Sequence, residues 1–331
     1  MFIIEQYSTA IIFCIVTMLC WGSWANTQKL AASSWRFELF YWDYVIGILL
    51  MSLLFAITLG SMGTGGRSFF DDVRQASNDN IGLALLGGAI FNAANILLCA
   101  AIAIAGMSVA FPVGIGLALV IGVLVNYFDN PVGAPLLIFS GVSLIAVAIL
   151  LNAYAYRRIG GQTKNVSTRG LVISVIAGLL MGFFYKYVAA SMFADFNQPE
   201  PGKLSPYTAV VFFSVGIFAS NIFFNTILMK KPFMGVPVSY GEYFKGGFKN
   251  HIMGILGGII WCVGMSFSII ASGKAGPAIS YGLGQGATVV AALWGIYIWK
   301  EFRNAPGNTN AILNMMLLCY LAGLALLIAA R

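Results

Sequence analysis

The sequence has 331 residues, of which 60% are hydrophobic and 9% charged, with a mean hydropathy of +0.88. No soluble domain can hide that much apolar surface, so the composition excludes one and reads as a polytopic membrane protein. The net charge of +7 would suit a nucleic-acid partner only if the basic residues shared one soluble face, but they are sorted by loop instead.

A hydrocarbon core about 30 Å thick takes roughly 20 apolar residues per helix. Ten runs meet that length: 7–30, 38–60, 80–104, 106–128, 133–155, 168–193, 206–229, 248–272, 274–298 and 308–330. They are continuous rather than alternating, which favours helices over a membrane β-barrel. The expected fold class is therefore an all-α membrane protein with ten transmembrane helices. The first run is too long and too polar at its end for a cleaved signal peptide.

Polar groups inside lipid are costly, so those within the runs are the first functional candidates. The first run ends in "CWGSWANTQK", which supplies Trp21, Trp24 and Asn26. The second, "FELFYWDYVIG", carries Glu38 and Asp43 near its start. The third holds Asn92 and Asn95, the sixth Lys186 in "FFYKYV", the eighth Trp261, and the ninth opens with "SYGLGQG", giving Tyr281 and Gln285. Amide and hydroxyl groups beside flat aromatic surfaces suit a small neutral polar solute in a dry pocket. The expected substrate-binding set is Trp21, Trp24, Asn26, Asn92, Asn95, Lys186, Trp261, Tyr281 and Gln285, with Lys186 as gate or ligand. The competing reading makes Asn and Ser interhelical glue and the tryptophans an interfacial belt, with Trp299 assigned to the belt.

An acid inside an apolar helix pays a desolvation cost as an anion, which makes Asp43 a candidate to exchange a proton, with Glu38 beside it. The alternative for Asp43 is a headgroup-region pair with Arg36 or Lys29. His251, the sole histidine, reads as a surface residue. The five cysteines fall inside the runs and read as packing. No metal motif, P-loop or hydrolase arrangement is visible, and "GLGQG" follows no strand, so neither a cofactor nor an enzyme is expected.

Basic residues gather in alternate loops, among them Arg36, Arg157, Arg158, Lys164, Lys230, Lys231 and Lys300, whereas the opposite loops hold Asp71, Asp72, Asp129, Asp195 and Glu200. The positive-inside rule makes the first group cytoplasmic and puts both termini outside.

The segment from Gly87 to Gly116 lies without a gap over Gly257 to Gly286, so that Gly87 and Gly88 meet Gly257 and Gly258, and Tyr127 meets Tyr297 further on. "LCWGSWANTQK" likewise lies over "LLMGFFYKYVA", with Asn26 on Lys186. Five helices per half, an odd number, make this an inverted repeat, an arrangement suited to alternating access. The expected units are 1–156 and 168–331, joined by a cytoplasmic linker, 157–167.

"KLSPYTAVVFFS", "GMSVAFPVGIGLALVIGVLVNYF", "FYWDY" and "ALWGIYIWKEF" resemble the drug/metabolite transporter superfamily, in particular its ureide permease, glucose/ribose porter and rhamnose-proton symporter families. The resemblance implies a ten-helix inverted repeat with a central cavity and secondary transport, proton-coupled in several relatives. Asp43-Tyr44 matches a ureide-permease-like pattern, while "CWGSW" and the proline of "VAFPVGIG" look more like the sugar porters. Plant ureide permeases carry a longer, nucleotide-motif-bearing central loop, where this chain has only the short linker.

The leading expectation is a proton-coupled importer of a monosaccharide in a cell membrane, whose partners are its solute, protons and the lipid bilayer; the sequence assigns no oligomeric state. The alternatives are a ureide or nucleobase importer, a drug/metabolite exporter and, from another class, a channel or membrane scaffold.

Overall fold

The computed structural model describes residues 1–31, 35–105, 107–159, 167–233, 235–303 and 305–331; the side chains of 103, 107–109, 111, 112 and 159 are outside that description. Most of the expected linker and Gly106 lie outside the described residues.

Backbone groups in lipid must be bonded within their own segment, and the described chain obeys this with helices throughout. In order these are α1 (Tyr7–Ser23), α2 (Asn26–Leu30), α3 (Phe37–Ile57), α4 (Phe69–Gln75), α5 (Asn78–Ala105), α6 (Met107–Asp129), α7 (Pro135–Ile159), α8 (Thr168–Ser191), α9 (Pro206–Lys230), α10 (Tyr240–Phe244), α11 (Phe248–Ala275), α12 (Pro277–Gln285), α13 (Ala287–Leu293), a π-helical turn Trp294–Ile298, and α14 (Thr309–Ala329). Among the described residues, nine helical stretches are long and apolar enough to cross a membrane. The fourth expected run corresponds to α6, whose described apolar stretch, Val113–Asp129, is shorter.

Local sequence sets several of the boundaries. Ser205 caps α9 by accepting from the Thr208 amide at 3.2 Å, and Pro206 fills the first helical position, where no amide bond is needed. Gly276, at φ +83°, turns the chain sharply from α11 into α12. Two expected single spans are interrupted: the first at Trp24–Ala25, between α1 and α2, and the ninth at Gly286 and again at the π-helical turn.

Glycines bring helices into backbone contact along two seams of the same construction. A Cβ on Gly258 of α11 would lie 1.9 Å from the Tyr44 carbonyl oxygen of α3, and one on Gly47 of α3 would lie 2.2 Å from that of Ile255. On the second seam, a Cβ on Gly88 of α5 would lie 2.0 Å from the Phe213 carbonyl oxygen of α9, and one on Gly216 of α9 would lie 2.2 Å from that of Leu85. Even alanine would force these helices apart. Gly258→Ala and Gly88→Ala are each expected to cost about 1–3 kcal/mol, the usual penalty of overpacking. A fall in melting temperature of the detergent-solubilised protein would register that cost, and an unchanged melting temperature would contradict it.

Candidate functional site

The helices enclose a cavity of about 600 Å³ whose wall draws on α1, α2, α3, α5, α6, α7, α8, α9, α11, α12, α13 and the π-helical turn. Its charged lining residues, Lys29, Arg36, Glu38 and Glu301, all come from the membrane face on which α7 ends and α8 begins. The opposite face is tightly sealed. There the fully buried Asp72 accepts from the Ser205 amide at 2.7 Å and from Arg67 Nη1 at 2.9 Å, and the Phe196 ring packs on Gly273.

The cavity floor is aromatic. Trp21 stacks on Trp261 with centroids 5.9 Å apart and planes 14° apart, and its Nε1 donates to the Trp261 carbonyl at 3.2 Å. Trp261 also meets Phe91 at 4.4 Å and Phe213 at 6.0 Å. Trp24, also on the wall, lies 4.6 Å from the Tyr44 ring.

Six of the nine expected substrate ligands line the cavity: Trp21, Trp24, Asn26, Asn95, Trp261 and Gln285. Their free bonding capacity differs. Asn26 is committed at both ends, donating to the Ser23 carbonyl at 3.0 Å and accepting from Trp299 Nε1 at 2.6 Å. Asn95 donates to the Tyr41 hydroxyl at 3.1 Å, and no hydrogen bond engages its Oδ1 among the described residues. Gln285 is more than nine-tenths buried, and its side-chain amide makes no hydrogen bond among the described residues.

The other three expected ligands are not on the wall. Asn92 is fully buried behind it, accepting from the Tyr41 hydroxyl at 3.0 Å and donating to Ser220 Oγ at 2.9 Å. Tyr281 is also fully buried, its hydroxyl donating to the carbonyls of Met181 at 3.1 Å and Ala118 at 3.2 Å, so it ties α12 to α8 and α6. Lys186 is half-exposed at the sealed face and pairs with Asp129 at 2.9 Å.

The carboxylates also part ways. Glu38 lines the cavity and is held by Arg36 at 2.5 Å. Asp43 is 2% exposed, faces the α3–α11 seam rather than the cavity, and has neither Arg36 nor Lys29 as its partner. Its Oδ1 and Oδ2 each lie 3.0 Å from His251 Nδ1, and Tyr243 donates to Oδ1 at 2.6 Å. His251 is thus a partner of a buried acid rather than a surface residue. Burial, and then the hydrogen bond to Asp43 and its charge, push the Tyr243 hydroxyl up from its ordinary value, so it remains a donor.

Sequence reasoning passed over the cavity mouth. Glu301 accepts from Lys29 at 2.9 Å and from the Tyr156 hydroxyl at 2.7 Å, and Lys29 sits 4.7 Å over the Trp299 ring. Trp299 therefore belongs to the wall rather than to a lipid-facing belt. Burial alone would raise the Glu301 carboxyl, but the donors Tyr156 and Lys29, with the Lys29 charge, hold it below its ordinary value. A depressed carboxylate contributes stability above its unfolded value, about 4.3, and loses it as pH falls through the folded value. The acid limb of the melting-temperature profile is accordingly expected to be shallower in Glu301→Gln; an identical limb would show that the cluster adds nothing. Asn152, buried and on the wall, was also missed, although its signal, an amide inside an apolar run, is the one that singled out Asn92.

The ureide permease family model matches residues 40–164 and 155–330. The chain belongs to the ureide permease family. Among its relatives, ureide permease 1 of Arabidopsis thaliana is 23% identical over all of this chain and 99% of its own length. Ureide permease 2 of the same plant is equally similar, and probable ureide permease A3 of Vigna unguiculata is 21% identical over 93% of this chain and 99% of its own length. One solved crystal structure superposes with a TM-score of 0.63 over 98% of this chain and 99% of that chain; at 15% identity the likeness concerns the fold alone. Membership of the ureide permease family makes the chain a multi-pass membrane transporter and not an enzyme.

Proposed function

We propose that this ureide permease family member imports a planar nitrogenous solute, a ureide or a nucleobase, by alternating access. The observation that carries the reading is the uncommitted Gln285 amide, buried in the wall of the cavity that the Trp21–Trp261 stack also lines. A ureide or nucleobase offers flat faces to the indoles and adjacent N–H and C=O groups to the amide. The monosaccharide expectation gives way, because the family match favours ureides and the carboxamide that stands free pairs naturally with an amide-rich solute.

The architecture we assign is ten helices in two inverted repeats, 1–156 and 168–331, joined by the linker 157–167. The matching seams support it: α11 on α3 and α5 on α9 each turn on a glycine, Gly258 or Gly88, that aligns between the two halves. So do two further contacts at opposite faces, Asn26 with Trp299 and Lys186 with Asp129, in which the residues aligned between halves play equivalent parts. Lys186 then acts as a tie at the sealed face rather than as a ligand.

The basic loops favour a cytoplasmic linker face in a cell membrane, with both termini outside and the cavity facing the cytoplasm. For the driving ion we assign the proton-binding group to Asp43 with His251, a buried carboxylate–imidazole pair inside apolar helices. Glu38, clamped by Arg36, is the lesser candidate.

A ligand that binds only the folded protein raises its apparent stability. Thermal unfolding across ureides, nucleobases, nucleosides and monosaccharides should therefore show stabilisation by the first two classes. Stabilisation by monosaccharides alone would overturn the substrate assignment.

A further inference from the structure

We propose that Asn152 is a second substrate-binding residue, which together with Gln285 reads the N–H and C=O edge of the solute; the inference rests on the transporter reading above. Asn152 lies on α7, one helical turn before Tyr156, and both line the cavity. Only 6% of the residue is exposed, yet its Oδ1 has no hydrogen-bond partner among the described residues. Nothing bonded to the amide fixes its orientation, so rotation about its last torsion can present either the oxygen or the nitrogen to the cavity.

Asn26 and the charged groups on the wall are spoken for. Asn26 bonds Ser23 and Trp299, Glu38 bonds Arg36, and Glu301 bonds Lys29 and Tyr156. Of the carboxamides with unused capacity at both ends, Asn152 and Gln285 are the two more than nine-tenths buried; Gln28, also on the wall, is only half-buried, and Asn95 keeps its Oδ1 alone. An unpaired buried amide is destabilising, and packing alone would be served better by leucine, which has a similar volume. A solute carrying both donors and acceptors satisfies such a group when bound, and one lacking the matching N–H leaves it unpaired. That difference is the physical basis of discrimination at a hydrogen-bonding site.

The test compares Asn152→Leu with the wild type, using uracil and hydantoin and their singly N-methylated derivatives as probes, by equilibrium binding to the purified protein. The wild type should bind at least one parent about tenfold tighter than one of its N-methyl derivatives, the usual scale of one hydrogen bond. In Asn152→Leu that ratio should fall towards one, through weaker binding of the parent with the derivative unchanged. The ligand-free variant should melt no lower than the wild type. Asn152→Ser provides the same comparison should the leucine variant fail to fold. A wild-type ratio retained in a folded variant overturns the role of Asn152 and leaves the ureide or nucleobase reading standing. A wild type that binds a monosaccharide but neither parent overturns both.

Discussion

Replacing Gln285 with leucine is expected to weaken ureide or nucleobase binding by roughly ten- to a hundredfold while leaving the melting temperature of the ligand-free protein unchanged. A neutral hydrogen bond contributes about 0.5–1.5 kcal/mol net, and a carboxamide facing an N–H/C=O edge makes two of them. Every 1.4 kcal/mol is about tenfold in affinity, which gives the range. The separation of binding from stability follows from the geometry: the Gln285 amide bonds no described residue, so its loss breaks nothing in the empty protein. Trp261 makes an instructive contrast. Its ring touches Trp21, Tyr44, Phe91 and Phe213, so Trp261→Ala would cost about 3–5 kcal/mol of stability and confuse the two effects. Equilibrium binding beside thermal unfolding for Gln285→Leu checks the prediction, and a dissociation constant within twofold of the wild type would contradict it.

Asp43→Asn is expected to abolish pH-dependent accumulation of solute while leaving exchange at equal concentrations on both sides close to wild type. The carboxamide keeps the shape of the side chain and can still meet His251 and Tyr243, but it cannot take up and release a proton. Exchange needs only the loaded cavity to reopen alternately on the two sides, and Asp43 is not on the cavity wall. Loss of accumulation with exchange preserved would mark coupling; loss of both, with a lowered melting temperature, would mark a structural pair whose breakage leaves His251 without its partner. Proteoliposomes with an imposed pH gradient make the measurement. Accumulation that still follows pH in Asp43→Asn would remove the proton-binding role.

The apolar runs were legible because lipid leaves the backbone few options, so length and hydropathy alone locate a helix. The breaks were less so. The first run reads as a continuous span, but the chain turns at Trp24–Ala25, and the end of the ninth run becomes a π-helical turn whose Trp294 Nε1 donates to Ser23 Oγ at 2.9 Å. That contact joins residues far apart in sequence, which no local pattern encodes.

The site was half legible for a related reason. A polar residue inside an apolar run must find a partner, but its type does not say whether the partner is protein or solute. Asn92 and Gln285 look alike in sequence, yet Asn92 is bonded to Tyr41 and Ser220 while Gln285 is left to the cavity. Tyr281, the second residue of the "SYGLGQG" stretch, spends its hydroxyl on two backbone carbonyls for the same reason. Asp43 and His251 become partners only because Gly254, one turn along α11, admits the Asp43 side chain; a Cβ there would lie 2.4 Å from the Asp43 Cβ.

Counterflow in proteoliposomes tests the central claim most directly. Vesicles preloaded with unlabelled allantoin or uracil are diluted into a trace of the labelled compound, and alternating access predicts transient accumulation above the outside concentration, abolished by Gln285→Leu. Simple equilibration without overshoot would show a channel, and overshoot with a monosaccharide but with neither nitrogenous solute would contradict the substrate assignment.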